Sequence, residues 1–103
     1  MYRVTTPTHT FTLPLDTSEF SKIQITYNQK GNVLVKEYKD GTLPSGMTLD
    51  EKDVVLNLTQ EETKLFSVGA VGVQVRAKTN GGKAYASNKF KVSVVEVFNE
   101  EIL

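Results

Sequence analysis

Alternation with a period of two runs through "VGVQVRAK" (residues 71–78) and returns beyond a glycine turn in "KFKVSV" (residues 89–94). It narrows what this chain can fold into more than any other feature. Val71, Val73, Val75 and Ala77 share one face of an extended segment, while Gln74, Arg76 and Lys78 take the other. Successive side chains of a strand point to opposite faces, so this pattern fits a strand with one face in a core and one in water. Asn80-Gly81 lies between the two halves and is a strong two-residue hairpin signal, because a type I′ turn needs positive φ at both central positions. That turn sets Ala77 opposite Ala84 and Val75 opposite Ala86. A Gly81-Gly82 turn shifts the pairs by two and keeps the faces. The inward set resumes at Phe90, Val92 and Val94. Asn88 interrupts it, so a bend or bulge is expected near Ser87-Asn88.

A second hairpin reads from "KIQITYNQKGNVLVKEY" (residues 22–38), where Ile23, Ile25 and Tyr27 alternate with Gln24 and Thr26. "NQKG" suits a type I turn with Gly31 in a left-handed bulge position, which sets Tyr27 against Val33 and Ile25 against Val35. Leu34 and Tyr38 offer a competing face. Upstream, "THTFTLPL" places His9, Phe11 and Leu13 on one side and Thr8, Thr10 and Thr12 on the other. Pro7 and Pro14 bracket the segment, as expected of an edge strand. "DVVLNL" turns Val54, Leu56 and Leu58 inward, and the breaker-rich "KDGTLPSGMTLDEK" reads as mostly loop. Thr59 and Glu62 form an S/T-x-x-E capping box that starts one helix of two turns at most, stopped by Gly69. Leu65 and Phe66 are expected to plug one end of the core. About seven short strands, regularly spaced turn signals and one short helix predict an all-β fold: an antiparallel two-layer β-sandwich with Phe11, Ile23, Ile25, Leu56, Val73, Val75 and Val92 in its core.

At 103 residues the chain makes a single domain, with residues 95–103 as a docking tail. Lys plus Arg and Asp plus Glu number 12 each, so no net field favours nucleic acid or an anionic membrane. There is no cysteine, which removes disulfides, thiolate metal sites and thiol nucleophiles. "MYRVTTPTHTF" lacks a basic region followed by an apolar run, so no signal peptide is expected. No apolar run approaches the length of a membrane-spanning helix.

The residues of catalysis are not assembled. His9 is the only histidine and reads as a half-exposed residue of the edge strand, with no nucleophile beside it. Asp50, Glu51 and Asp53 form an acidic group, but without the glycine and terminal glutamate of a calcium loop they read as a solvated turn. Glu61 and Glu62 belong to the helix start, and "GAVG" and "NGG" lack the strand-loop-helix setting of a phosphate cradle. No enzymatic activity, catalytic residue, metal, cofactor or small-molecule substrate is expected. Lys78, Lys83, Lys89 and Lys91 line the outward face of the last hairpin with Tyr85 among them. A glycan or nucleic-acid platform combines such features, but edge lysines also prevent sheet-to-sheet aggregation, and the solvated face is the preferred reading.

The ending "SVVEVFNEEIL" is different. Val95, Val97, Phe98, Ile102 and Leu103 continue past the regular alternation, where a terminus is normally polar and frayed. They are the candidate interface, docking either on their own sandwich or on a neighbouring subunit.

"VGVQVRAKTNGGKAYASNKFKVSV" resembles the last hairpin of fibronectin type III and related immunoglobulin-like modules. The resemblance rests on Val75-Arg76-Ala77, the glycine-rich turn, Ser87-Asn88 and the strand Phe90 to Val94. It implies an immunoglobulin-like sandwich architecture. The early tryptophan of that family is missing, and Val71 stands where its tyrosine would be, so membership is not implied. The layout as a whole is similar to small proteins encoded in tailed-phage and prophage structural modules of Firmicutes. The opening "PTHTFTLPLDTSEFSKIQITYNQKG", the "LTQEET" helix start and the "VQVRAKTNGGKAYASNKFKVSVVEV" ending carry this similarity. It implies a non-enzymatic virion or assembly component whose partners are other virion proteins or copies of itself. Such a protein is made in the host cytoplasm and then held in the virion. The alternative is a cell-surface adhesion or carbohydrate-binding sandwich module.

Overall fold

The long alternating segment becomes the central strand of the molecule. The computed structural model describes residues 1–103. In it, β6 (Gly69–Thr79) pairs antiparallel with β2 (Phe20–Gln29) on one side, and with β7 (Ala84–Ala86) and then β8 (Phe90–Val94) on the other. β3 (Asn32–Lys39) completes this five-stranded sheet next to β2. A second sheet holds β1 (Thr8–Thr12), β5 (Asp53–Asn57) and β4 (Met47–Asp50) in the order β1-β5-β4. The orders β1-β5-β4 and β3-β2-β6-β8 follow the B-E-D and C′-C-F-G orders of an immunoglobulin-type sandwich. β7 and β8 act as two halves of the last strand, and no strand occupies the place beside β1.

The inward residues of the two sheets meet in one core cluster of 16 buried side chains. Ile23, Ile25, Tyr27, Val71 and Val73 from one sheet face Phe11, Val54 and Leu56 from the other. Full burial of such a side chain contributes roughly 1.5–3 kcal/mol. Of the seven core residues expected from the sequence, six are buried, and Val92, on the edge half-strand β8, is half-buried. The capping box forms as expected: Thr59 Oγ1 accepts from Glu62 N, and Glu62 Oε1 accepts from Thr59 N, opening α1 (Gln60–Lys64). Phe66 plugs the core, while Leu65 is exposed.

Three expectations are corrected. β4 forms inside the segment read as mostly loop, because Met47 and Leu49 alternate over a strand too short to stand out among Pro44, Gly46 and Asp50. This gives eight strands. The β2–β3 hairpin pairs Tyr27 with Leu34 and Ile25 with Lys36, one residue away from the expected register. Lys30 joins Gly31 at positive φ (47° and 92°), so the turn is a two-residue I′ type without a bulge. A one-residue slip turns every side chain over. Leu34, Lys36 and Tyr38 therefore face inward, leaving Val33 and Val35 exposed.

The last hairpin also slips by one. Thr79 N donates to Lys83 O, closing a three-residue loop in which Gly82, not Gly81, takes positive φ (91°). Ala77 then pairs with Tyr85, which turns inward against Phe20 and keeps Lys83 beside its ring. The expected bulge is present. Between the pairs Arg76–Ala86 and Val73–Phe90, two residues of β6 oppose three of the other strand, which restores Phe90, Val92 and Val94 to the inward side. Gly81→Val is therefore expected to be nearly neutral, since its nearest non-neighbouring atom is Thr79 Oγ1 at 3.9 Å. Gly82→Val should cost about 1–2 kcal/mol, the penalty of a side chain in the left-handed region. Urea unfolding of both variants checks this, and equal costs would contradict the turn described.

Candidate interaction surfaces

The tail is tied down by its main chain and offers its side chains. Val95 N donates to Met1 O (2.8 Å) and Val95 O accepts from Arg3 N (3.0 Å), a short parallel ladder on the edge of the five-stranded sheet. Val4 (φ 57°), a conformation unusual for a β-branched residue, helps reverse the chain from this ladder towards β1. The Arg3 guanidinium donates to Phe66 O (2.7 Å) and Lys64 O (3.1 Å) and pairs with Glu100. Farther on, Leu103 N donates to Gln60 Oε1 at 2.7 Å, and Gln60 Nε2 donates back to Leu103 O at 3.2 Å. The tail is thus pinned to its own subunit at Val95, through the Glu100 side chain, and at Leu103. Of the candidate interface residues, Val97 is half-buried, Val95 and Ile102 are partly exposed, and Phe98 and Leu103 are almost fully exposed.

A groove of about 560 Å³ opens along the side of the sandwich, between β1 and the junction of β7 with β8. Phe11, Leu13, Val75, Ala77, Tyr85 and Phe90 line it, and the Phe11 and Phe90 rings meet across it with centroids 5.8 Å apart. Sequence reasoning missed this groove because the slipped register is what delivers Tyr85 to it. On the outer face of the large sheet, Arg76, Lys78, Lys89 and Lys91 are exposed, and none is in an ion pair. Lys83 lies with Nζ 5.3 Å from the Tyr85 ring centroid, at the groove mouth.

The residues weighed for chemistry have structural surroundings. His9 is half-buried on the inner side of β1, and its Nδ1 shares a hydrogen bond of 2.6 Å with the Tyr27 hydroxyl. Burial lowers the His9 pKa and raises that of Tyr27, so both are neutral at neutral pH. Asp50, Glu51 and Asp53 form the β4–β5 turn, with Asp53 Oδ1 accepting from Thr12 Oγ1. No three carboxylate or imidazole groups stand close enough to share an ion.

The buried charge is elsewhere. Lys36, turned inward by the hairpin register, places Nζ 2.6 Å from Glu62 Oε2 and donates to Ser45 O at 3.2 Å. Burial alone would raise the Glu62 pKa. The Lys36 ammonium and the Thr59 N–H outweigh it and hold the carboxyl below its ordinary value. This pair fastens β3 to α1 and to the β3–β4 crossover. Comparison with protein-family models, with curated proteins and with solved structures returns no match for this chain.

Proposed function

We propose that this chain is a non-enzymatic structural or assembly component that works through protein–protein contacts, of the kind encoded in tailed-phage and prophage structural modules. The observation that carries the reading is the tail. Its main chain is pinned at Val95 by Met1 and Arg3 and at Leu103 by Gln60, yet Phe98 and Leu103 stand in solvent. Isolated exposed apolar residues are ordinary on a protein surface, but a run of them along one ordered segment marks a contact site. The phage assignment rests on the similarity of the opening, the helix start and the last hairpin. Residence in the host cytoplasm and then in the virion follows from it. No helix is long and apolar enough to cross a membrane. For the adhesion or glycan-binding alternative, Tyr85 lies in the groove beside Lys83 and not on the outer face of the hairpin.

Truncation after Glu96, followed by light scattering beside the intact chain, tests the tail. The intact chain is expected above monomer mass and the truncated chain as a folded monomer. Monomers in both cases would remove self-association, and an unfolded truncated chain would show that the tail serves the fold alone.

A further inference from the structure

The open side of the sandwich has main-chain groups as well as an apolar floor. Leu58 N donates to Pro7 O and Leu13 N to Lys52 O, so the odd-numbered residues of the first strand exchange hydrogen bonds with β5. In an antiparallel pair the intervening residues point their N–H and C=O groups the other way. Those of Thr8, Thr10 and Thr12 therefore face the groove side without a strand to receive them. The opposite lip is similar. Val95 bonds outward to Met1 and Arg3, so Lys91 and Ser93, of the same parity on β8, also direct their main chains outward, with Ser93 O already taken by the Met1 amino group. Met1–Arg3 thus begin a ladder parallel to β8 that stops after one bridge, Tyr2–Val95, short of the groove.

The last hairpin, which supplies one lip of this opening, carries charge of one sign, while on the β1 lip the Asp53 carboxylate is engaged by Thr12 Oγ1. Residues 69–95 carry Arg76, Lys78, Lys83, Lys89 and Lys91 and no acidic residue. Lys83 stands at the mouth itself.

We propose that this opening is a strand-acceptor groove. It takes an extended segment of another polypeptide in which small apolar residues alternate with acidic ones. The segment continues the direction begun by Met1–Arg3 and adds antiparallel to β1 on the main chains of Thr8, Thr10 and Thr12. Its apolar side chains enter the groove over Phe11, Val75 and Tyr85, and an acidic one reaches Lys83. Strand addition draws affinity from main-chain hydrogen bonds and specificity from alternate side-chain pockets, which are the two things this opening supplies. The inference rests on the protein–protein reading and names the chemistry of one partner.

The probe is a short peptide of alternating valine and glutamate, titrated calorimetrically into the full chain beside a valine–lysine peptide. Amide exchange is followed by NMR. The valine–glutamate peptide is expected to bind and to protect the Thr8, Thr10 and Thr12 amides, with the valine–lysine peptide much weaker. Thr10→Pro removes an outward N–H without touching the β5 ladder, a place where an edge strand tolerates proline. It should weaken binding about tenfold, the equivalent of one main-chain hydrogen bond. Lys83→Glu, a surface change that does not depend on the backbone, should reverse the preference between the peptides.

Unprotected threonine amides, undiminished binding by Thr10→Pro or equal binding of both peptides would each overturn the proposal. Self-association of the intact chain that Thr10→Pro abolishes would assign the groove to a second copy and overturn the assignment to a different chain. Loss of peptide binding with tail-dependent association intact defeats this inference alone. Peptide binding without any tail dependence defeats only the tail reading.

Discussion

Gly46→Ala is expected to destabilise the protein by about 2–5 kcal/mol, adding a left-handed conformational penalty of about 1–2 to an overpacking cost of about 1–3. Gly46 has φ 82° and sits where β4 meets the end of β5, accepting from Asn57 N at 2.8 Å. A Cβ there would lie 2.2 Å from the Asn57 carbonyl oxygen, and that oxygen belongs to backbone that cannot rotate aside. Relief requires moving β4 away from β5, which unpicks the three-stranded sheet. Gly31 is the control. Its φ of 92° is equally left-handed, but nothing lies within 4 Å of a Cβ, so Gly31→Ala should cost only the conformational part. Urea unfolding of both variants separates the two contributions. Equal losses would show that the Asn57 approach does not matter.

The second large effect concerns Lys36 and Glu62. Removing one partner of a buried ion pair leaves an uncompensated charge, and Glu62→Ala is expected to cost about 3–5 kcal/mol. The side chains of Lys36 and Glu62 are only 9% and 17% exposed, so little solvent can compensate the charge that remains. Replacing both, as Lys36→Met with Glu62→Gln, should recover most of the loss, because apolar packing substitutes for a buried pair and Gln retains the cap on Thr59. A double-mutant cycle built from Lys36→Met, Glu62→Gln and the two together, followed by urea unfolding, measures the coupling, and additive losses would mean that the pair is not coupled.

The pH dependence follows from the depressed Glu62 pKa. The folded value lies below the unfolded one, so the carboxylate's contribution is complete above the ordinary carboxylate range and is lost as pH falls through the folded value. The acid limb of the stability profile should therefore flatten in the double variant.

The parts of the fold that rest on side-chain periodicity were legible. Val54, Leu56 and Leu58, the long strand, the edge position of β1 and the capping box could all be read from residue type and spacing. Turn geometry could not. Lys30 and Gly82 adopt positive φ at places where neighbouring residues offered equally good alternatives, and each choice shifts a register by one. Lys36 was hidden for the same reason. A lysine in inward parity looks like a register error until Glu62, 26 positions later, supplies its counter-charge. The groove was further from reach, since it arises where two strand edges from different sheets come side by side. The candidate tail was legible as a departure from pattern, and the structure adds that its main chain is pinned at Val95 and Leu103 while the Phe98 and Leu103 side chains stay exposed.

The one-residue loop slip and the one-residue bulge in the last hairpin act together as a parity check on chain length. The first turns Tyr85 inward, and the second returns Phe90, Val92 and Val94 to the core side. Lengthening or shortening either place by a single residue would turn β8 over and carry Lys91 and Ser93 to the core side. A matched change at both places leaves β8 in phase. This part of the chain therefore admits insertions and deletions only in compensating pairs, even though both places are exposed, polar and free of the core.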